Sequence, residues 1–369
     1  MIRIATVFSG IGSVEHALDR LSIPHEIVFA CDIDKYAKQS YFANYPITED
    51  RWYNDIKDLD GKKHTNQVDI LVGGSPCQSF SMVGKRKGLD DDRGQLIFEF
   101  CRLVREIQPK MFIYENVKGI LNHDGGKTWE KIESEFKKLG YSFNKKIMNS
   151  RNYGIPQNRE RLFVVGFKDK KSNFEFPEEL ELTITMKDLL EDNPDSKYYL
   201  NEKGKNFVSS EKNLKKRYTQ INGDIALCQK ANQQFNWHGD FILEGPKEIE
   251  DKYYLSEKVT NYVLAGGTKT FYTKPKIDLE VARPLLSTMH KMHRAGVDNY
   301  VTSNDKIRKL TPRECLRLMG FDDRFKIVVS DTQMYKQAGN SIVSNNFIEI
   351  LKNIDMSIFE GEKDEQNNN

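Results

Sequence analysis

Apolar and polar positions alternate between two periods through the first half of the chain. IRIATVF (Ile2 to Phe8) is a short, nearly continuous apolar run that predicts a buried strand, and Val14, Ala17, Leu18 and Leu21 then recur at helical spacing. EIVFA (Glu26 to Ala30) predicts a second strand, and DKYAKQSYFANYP a helix that stops before Pro46. VDILVGG (Val68 to Gly74) is a third strand ending in two glycines. Leu96, Ile97, Phe100, Cys101 and Val104 mark a helix that stops at Pro109. KMFIYENV (Lys110 to Val117) and RLFVVGF (Arg161 to Phe167) add two more strands. Strands separated by helices of this length predict βαβ units, hence an α/β fold with a mostly parallel, doubly wound, Rossmann-like sheet.

Beyond about Lys168 the periodicity weakens. Residues 170–282 are rich in Lys, Glu, Asn and Tyr, yet aromatics and short apolar runs persist, which predicts a separate, smaller, irregular domain rather than disorder. Regular texture returns near Ala282. Thr311 to Glu314 (TPRE) reads as a capping box with proline in the first helical position, and Gly320 as the helix stop. The expected organisation is a large domain in two parts, 1–169 and 283–359, interrupted by 170–282 and followed by a polar tail, 360–369.

Composition narrows the function classes. Charged residues make up 30% of the chain but nearly balance, for a net +2, so any nucleic-acid site must be a local patch. No apolar run is long enough to cross a bilayer, and the N-terminus enters a strand without a signal-peptide pattern. Cys31, Cys77, Cys101, Cys228 and Cys315 are widely spread with no CxxC pair. That spacing argues against a disulfide framework or a metal site, and for a reducing cytoplasm.

Chemistry concentrates at strand ends. In GGSPCQSFS, Cys77 sits on the loop where the third strand empties, the edge of an open α/β sheet at which ligands bind. It is a buried structural cysteine or an exposed nucleophile; small polar neighbours keep the second reading open. In VFSGIGSVEHAL a strand ends at Phe8, Gly10 and Gly12 form a turn, and a helix opens. Asp32, after the next strand, stands where such folds hold ribose hydroxyls. Glu15 occupies the place of the third dinucleotide-fingerprint glycine, which disfavours NAD and suits a small adenosyl ligand, or else the turn binds nothing. Glu115 closes the strand before NV, as a proton donor or acceptor or as an ordinary cap. Arg159 and Arg161, two apart in QNRER, share one face suited to a carbonyl or anion, or are surface charge.

Together and in this order these motifs resemble the DNA cytosine-C5 methyltransferases, over nearly the whole chain outside 170–282. FSGIGS is similar to that family's FxGxG cofactor turn, SPCQSFS to its proline–cysteine nucleophile loop, YENV to its ENV motif and QNRER to its QxRxR motif. RPLLSTM (Arg283 to Met289) and AGNSIV (Ala338 to Val343) match its last two motifs. Ser9 and Ser13 stand where many members have small or glycine residues, and GFDD replaces the commoner GFP. The resemblance implies transfer of a methyl group from S-adenosylmethionine to C5 of cytosine in double-stranded DNA, leaving S-adenosylhomocysteine and needing no metal. Cys77 would add to C6 of the ring, Glu115 would hold N3 and the exocyclic amine, Arg161 would bind O2, and Arg159 would orient the loop and Glu115. Phe8 would stack on the adenine, with Gly10, Ile11 and Gly12 forming the cofactor turn. Asp32 would take the ribose, Ile33 would flank the adenine, and Asp55 with Ile56 would cover its edge. Pro76 and Leu96 would approach the methionine side, and Asn340 and Ile342 would return to the same pocket, with the C-terminal helix beside the first strand.

The resemblance also makes residues 81–94 a mobile catalytic loop whose Lys85, Arg86, Lys87 and Arg93 meet phosphates, while Gln78 and Val83 line the space left by a flipped base. Basic stretches in 290–313 and 214–218 would add phosphate contacts, and base readout would come from the target-recognition domain, 170–282, with Gln233, Gln234, Trp237 and His238 as candidates. An RNA (tRNA) cytosine methyltransferase is the alternative; the length of 170–282, more than a hundred residues, favours DNA. A non-enzymatic adenosyl-binding module would leave Cys77, Glu115, Arg159 and Arg161 without roles. The absence of a long N-terminal regulatory region fits a bacterial or phage modification enzyme. Such an enzyme is expected to be monomeric, cytoplasmic and nucleoid-associated, with a cognate restriction endonuclease as functional partner.

Overall fold

The computed structural model describes residues 1–76, 95–170, 172–192, 194, 195, 198, 200, 202–215, 219–222, 224, 235–237, 239–242, 267, 268, 271, 272, 279–286, 293, 294, 299–303 and 306–359. Its centre is a seven-stranded sheet. The strands are β1 (Ile2–Val7), β2 (His25–Cys31), β3 (Trp52–Tyr53), β4 (Ile70–Gly73), β5 (Met111–Val117), β6 (Ser142–Asn149) and β7 (Glu160–Phe167), in the order β3-β2-β1-β4-β5-β7-β6. β1 pairs in parallel with β2 and β4, β2 with β3, and β4 with β5. β7 runs antiparallel to β5, so the sheet is mixed at one end.

Chain order reverses between β1 and β4, which makes their carboxyl ends the topological switch point, where open α/β sheets bind ligands. The register is informative. Tyr53, Cys31, Val7, Gly73 and Tyr114 form one continuous row of paired residues across five strands. The residues that follow each of them (Asn54, Asp32, Phe8, Gly74 and Glu115) therefore emerge along a single edge.

The helices α1 (Ser13–Arg20), α2 (Lys35–Asn44), α3 (Leu96–Ile107) and α4 (Lys127–Lys138) connect these strands. α2 starts because the Asp34 carboxylate accepts from the N–H groups of Tyr36 and Ala37, and it ends at Tyr45, whose extended backbone the following Pro46 demands. α3 buries Ile97, Phe100, Cys101, Val104 and Ile107, the i, i+3, i+4 stripe of a helix lying on a sheet. Phe100 packs on Phe112 and Tyr114 of β5, and Phe112 stacks on Phe136 of α4 at 5.6 Å. Each such fully buried ring contributes about 1.5–3 kcal/mol over leaving it in water. Close packing fixes two glycines: a Cβ on Gly73 would meet Phe100 at 2.7 Å, and one on Gly166 would meet the Phe112 ring at 2.2 Å.

Three elements go beyond the strands and helices expected from periodicity. β3 is only two residues long, too short to show a period. β6 (SFNKKIMN) lies at the sheet edge, where polar side chains are tolerated and apolar alternation is lost. α4 spreads its apolar contacts over Trp129, Ile132 and Phe136 within a charged sequence.

The described residues divide into two compact units, one drawn from Met1–Met148, Glu160–Glu178 and Asn346–Asn369, the other from Asn149–Arg159 and Glu179–Asn345. In the first unit Phe347, on the helix Ser344–Lys352, meets Phe163 of β7 edge-on at 5.8 Å. In the second unit the helix Pro312–Leu318 has the expected capping box, with Thr311 and Glu314 reciprocally bonded and Pro312 at its start; Gly320, at φ +79°, follows its end. Residues 283–345 group with the second unit because short segments lock together there. Gln157 donates to the Leu318 carbonyl at 2.7 Å and accepts from the Leu285 N–H at 3.2 Å. No helix among the described residues is long and apolar enough to cross a membrane.

Candidate functional site

The switch-point edge of the first unit carries two clusters. At the first, Phe8 leaves β1 at φ +56°, in the left-handed region that a bulky side chain enters only when its surroundings impose it. The Ser9 N–H reaches the Cys31 carbonyl at 3.0 Å, and the Ser9 hydroxyl accepts from the Cys31 N–H at 3.0 Å, which pins the turn to β2. Gly10 donates its N–H to Asp32 Oδ2 at 2.8 Å, and Asp34 donates to Asp32 Oδ1 at 2.8 Å. Ile33, beside Asp32, is 81% exposed, an apolar side chain presented at the same edge.

The two glycines of the turn serve different ends. A Cβ on Gly10 would find nothing nearer than the Phe8 carbonyl at 4.0 Å, so backbone and open space meet there. A Cβ on Gly12 would lie 2.2 Å from Tyr45 Cε2. That ring fills the Cβ side of Gly12, and its hydroxyl donates to the Gly12 carbonyl at 2.7 Å. Gly12→Ala, at φ +78° and against an aromatic ring, is expected to lower stability by about 1–3 kcal/mol and to weaken adenosyl-ligand binding with it. Thermal unfolding and a ligand titration on the same preparation check both.

Glu15 is a further departure from a simple phosphate turn. It is 1% exposed and its Oε1 accepts from the Thr6 hydroxyl at 3.0 Å and from Tyr41 at 2.5 Å. Burial pushes its carboxyl above the ordinary range, against the opposing hydrogen bond from Tyr41. Nothing in the local sequence signals Tyr41, Tyr45 or Glu15 as one cluster, because α2 brings the two tyrosines from some thirty residues away. Farther along the edge, Asp55 caps a short 3₁₀ turn through the Lys57 N–H, and Ile56 is buried in the core at 4% exposure.

The second cluster lies where β4 and β5 end. Gly73 pairs with Tyr114, so Gly74, Ser75 and Pro76 leave the sheet beside Glu115. Glu115 is 7% exposed, and its Oε1 takes the Arg161 Nε at 3.1 Å. The two sit diagonally on one face of the antiparallel β5–β7 pair, since Val117 is the residue opposite Arg161. Arg161 also donates through Nη1 to the Glu160 carbonyl at 2.8 Å. Leu96, at the start of α3, and Phe8 are half-buried against the same core. Cys77, Gln78, Val83, Lys85, Arg86, Lys87 and Arg93 lie outside the described residues, as do Gln233, Gln234 and His238.

Arg159 belongs to the second unit and is 3% exposed. Its guanidinium donates to the carbonyls of Leu285 at 3.2 Å, Gly339 at 3.2 Å and Ser341 at 2.7 Å. Arg161 thus has a carboxylate for partner, whereas Arg159 meets carbonyls and ties RPLLSTM to AGNSIV. Asn340 is exposed and Ile342 half-buried at the end of the helix Asp331–Asn340. Among the described residues no group of three or more His, Cys, Asp or Glu side chains could hold a metal ion, and Cys31, Cys101 and Cys315 are buried and in no disulfide.

A model of the C-5 cytosine-specific DNA methylase family matches residues 2–356. The Type II methyltransferase M.HhaI of Haemophilus parahaemolyticus is 33% identical over 97% of this chain and 95% of its own. The orphan methyltransferase M.SPRI of Bacillus phage SPR is 31% identical over 96% and 97%. Among solved structures, the Dnmt2 methyltransferase of S. pombe superposes with a TM-score of 0.66 at 19% identity, covering 98% of this chain and all of its own, a likeness of fold.

Proposed function

The chain belongs to the C-5 cytosine-specific DNA methylase family, and we propose on that premise that the switch-point edge is its active site, with Cys77, Glu115 and Arg161 acting on a flipped cytosine and Asp32 and Phe8 holding S-adenosylmethionine. The observation that supports this best is the register of β4 against β5, which delivers the segment leading into Cys77 next to the Glu115–Arg161 pair.

Cytosine C5 is too weak a nucleophile for direct methylation, and covalent catalysis splits the task. The Cys77 thiolate adds to C6, placing enamine character on C5. After methylation C5 loses its proton, and the electron pair of that C–H bond re-forms the ring double bond as the sulfur leaves. Glu115 holds N3 and the exocyclic amine while charge develops on the ring, and Arg161 orients Glu115 and offers its outer edge to O2, a preorganised site of the oxyanion-hole kind. Arg159 acts at one remove, by fixing the last two motifs. The target lies inside the duplex stack, so the base must be extruded. Residues 81–94 supply the closing loop and its phosphate contacts, and 170–282 the base readout.

The residues of the turn fit an adenosyl ligand. Gly10 leaves its Cβ side clear, Asp32 places a carboxylate, the group that takes ribose hydroxyls, against the turn, and exposed Ile33 offers an apolar flank to adenine. Bound there, S-adenosylmethionine supplies an electrophilic methyl group. Ile11, Gly12, Asp55, Ile56, Pro76 and Leu96 complete the proposed pocket. Asp32→Ala removes the anchor of two backbone N–H groups together with the ribose acceptor, and is expected to weaken S-adenosylmethionine binding about 10–100-fold, measured by calorimetric titration. A monomer working on one base at a time in the cytoplasm, beside a restriction endonuclease of the same specificity, is the setting this reading implies.

Base-resolution 5-methylcytosine sequencing of DNA from cells expressing the chain tests the whole reading. One short motif methylated by the chain supports it. Unmethylated DNA, from cells whose protein is folded and binds S-adenosylmethionine, overturns it in favour of an RNA substrate.

A further inference from the structure

Tyr114 is unused by the mechanism above, although it precedes Glu115 directly. Its side chain is wholly buried, with the ring 5.3 Å from Phe100 and 5.7 Å from Phe136. The hydroxyl lies 2.6 Å from Ser75 Oγ and accepts from the Asn116 amide at 2.8 Å. The same amide approaches the Ser75 carbonyl at 3.3 Å and Ser75 Oγ at 3.2 Å, while Asn116 Oδ1 accepts from the Val117 N–H at 2.8 Å. Ser75, Tyr114 and Asn116 are 4%, 0% and 1% exposed. Phenylalanine would fill the same aromatic core without the cost of burying a hydroxyl, so packing does not account for the tyrosine.

Strand alternation gives the cluster its direction. Tyr114 and Asn116 lie on one face of β5, and Glu115 lies on the other with Arg161. We propose that Tyr114, with Ser75 and Asn116, is a positioning device that clamps the end of β4 to the end of β5, and so holds Glu115 at a fixed separation from the backbone that enters the proline–cysteine loop. This rests on the roles assigned above to Glu115 and Cys77. A misplacement of about 1 Å from a group remote from the chemistry can cost about a hundred-fold in rate. A hydroxyl network joining the two strands that bear nucleophile and carboxylate is a means of preventing it.

The test is single-turnover methyl transfer to duplex DNA by Tyr114→Phe, Ser75→Ala and the double variant, with S-adenosylmethionine affinity, DNA affinity and melting temperature measured beside it. The methyl-transfer rate is expected to fall about ten-fold in each single variant and no further in the double, as for groups that act as a unit, with both affinities within about two-fold of the parent. A Tyr114→Phe rate within about two-fold of the parent overturns the proposal, as does a loss of rate matched by losses of cofactor binding and melting temperature, which would make the network merely structural. Ser75→Ala decides alone if Tyr114→Phe does not fold. A parent chain as inert on DNA cytosine as Cys77→Ser overturns the underlying reading, and the proposal with it; an active parent with unaffected variants overturns the proposal alone.

Discussion

Replacing Cys77 by serine is expected to abolish methyl transfer to DNA while leaving S-adenosylmethionine binding in place. The change exchanges one sulfur for one oxygen and hardly alters shape. What it removes is the thiolate: a cysteine is a few per cent ionised at neutral pH even when unperturbed, and far more beside positive charge or a helix N-terminus, whereas an alcohol is not ionised. Without addition at C6 the ring carbon stays unreactive, so the rate is expected to fall by at least about a thousand-fold. The cofactor residues proposed here (Phe8, Gly10, Asp32 and Ile33) belong to the β1 and β2 ends, where the turn is held by bonds from Gly10 and Asp34 to Asp32 and from Ser9 to Cys31. Transfer of a labelled methyl group to duplex DNA, with a cofactor titration in parallel, separates chemistry from binding. Residual methylation of cytosine at the parental rate would show that the covalent route is wrong.

Glu115→Gln is the second large effect. Glutamine keeps the length of the side chain and an oxygen that can still accept from the Arg161 Nε, now at 3.1 Å from Glu115 Oε1, so neither the strand nor the arginine is orphaned. Truncating Arg161 instead would strip the partner from a nearly buried carboxylate, and folding would suffer along with catalysis. The amide, however, carries no negative charge and offers an NH₂ group where the cytosine presents its exocyclic amine. The group that stabilises the ring as charge develops is thereby lost, and transfer is expected to slow about 10²–10³-fold. Because Glu115 is flanked by the buried Tyr114 and Asn116, whose own bonding is on the opposite face, the melting temperature should hold. A variant that methylates at the parental rate would remove Glu115 from the mechanism.

The Glu115 cluster separates what neighbours along the chain determine from what packing decides. The alternation of apolar runs with helical stripes, the proline and glycine stops, and the capping box at Thr311 were local signals, and the β1, β2, β4, β5 and β7 strands followed from them. The motifs were legible for the same reason: each is a few contiguous residues at a strand end, and their order along the chain resembled one family. What local signals could not carry was pairing. The row from Tyr53 to Tyr114, which brings four strand ends level with the middle of β5, is a matter of register, and the reversal of β7 against β5 is a matter of which edge remained open for it. What fills the Cβ side of Gly12 is likewise unmarked in the local sequence: it is Tyr45, brought in by α2. Arg159 and Arg161 looked like a pair because they share a face by alternation, yet one found the Glu115 carboxylate and the other three carbonyls from distant segments. Composition and periodicity determined the elements and the chemistry at their tips, because both depend on neighbours along the chain. The partners of each buried polar group were decided only by tertiary structure, because a hydroxyl or guanidinium removed from water must bond to whatever the packing of other strands and helices leaves within about 3 Å.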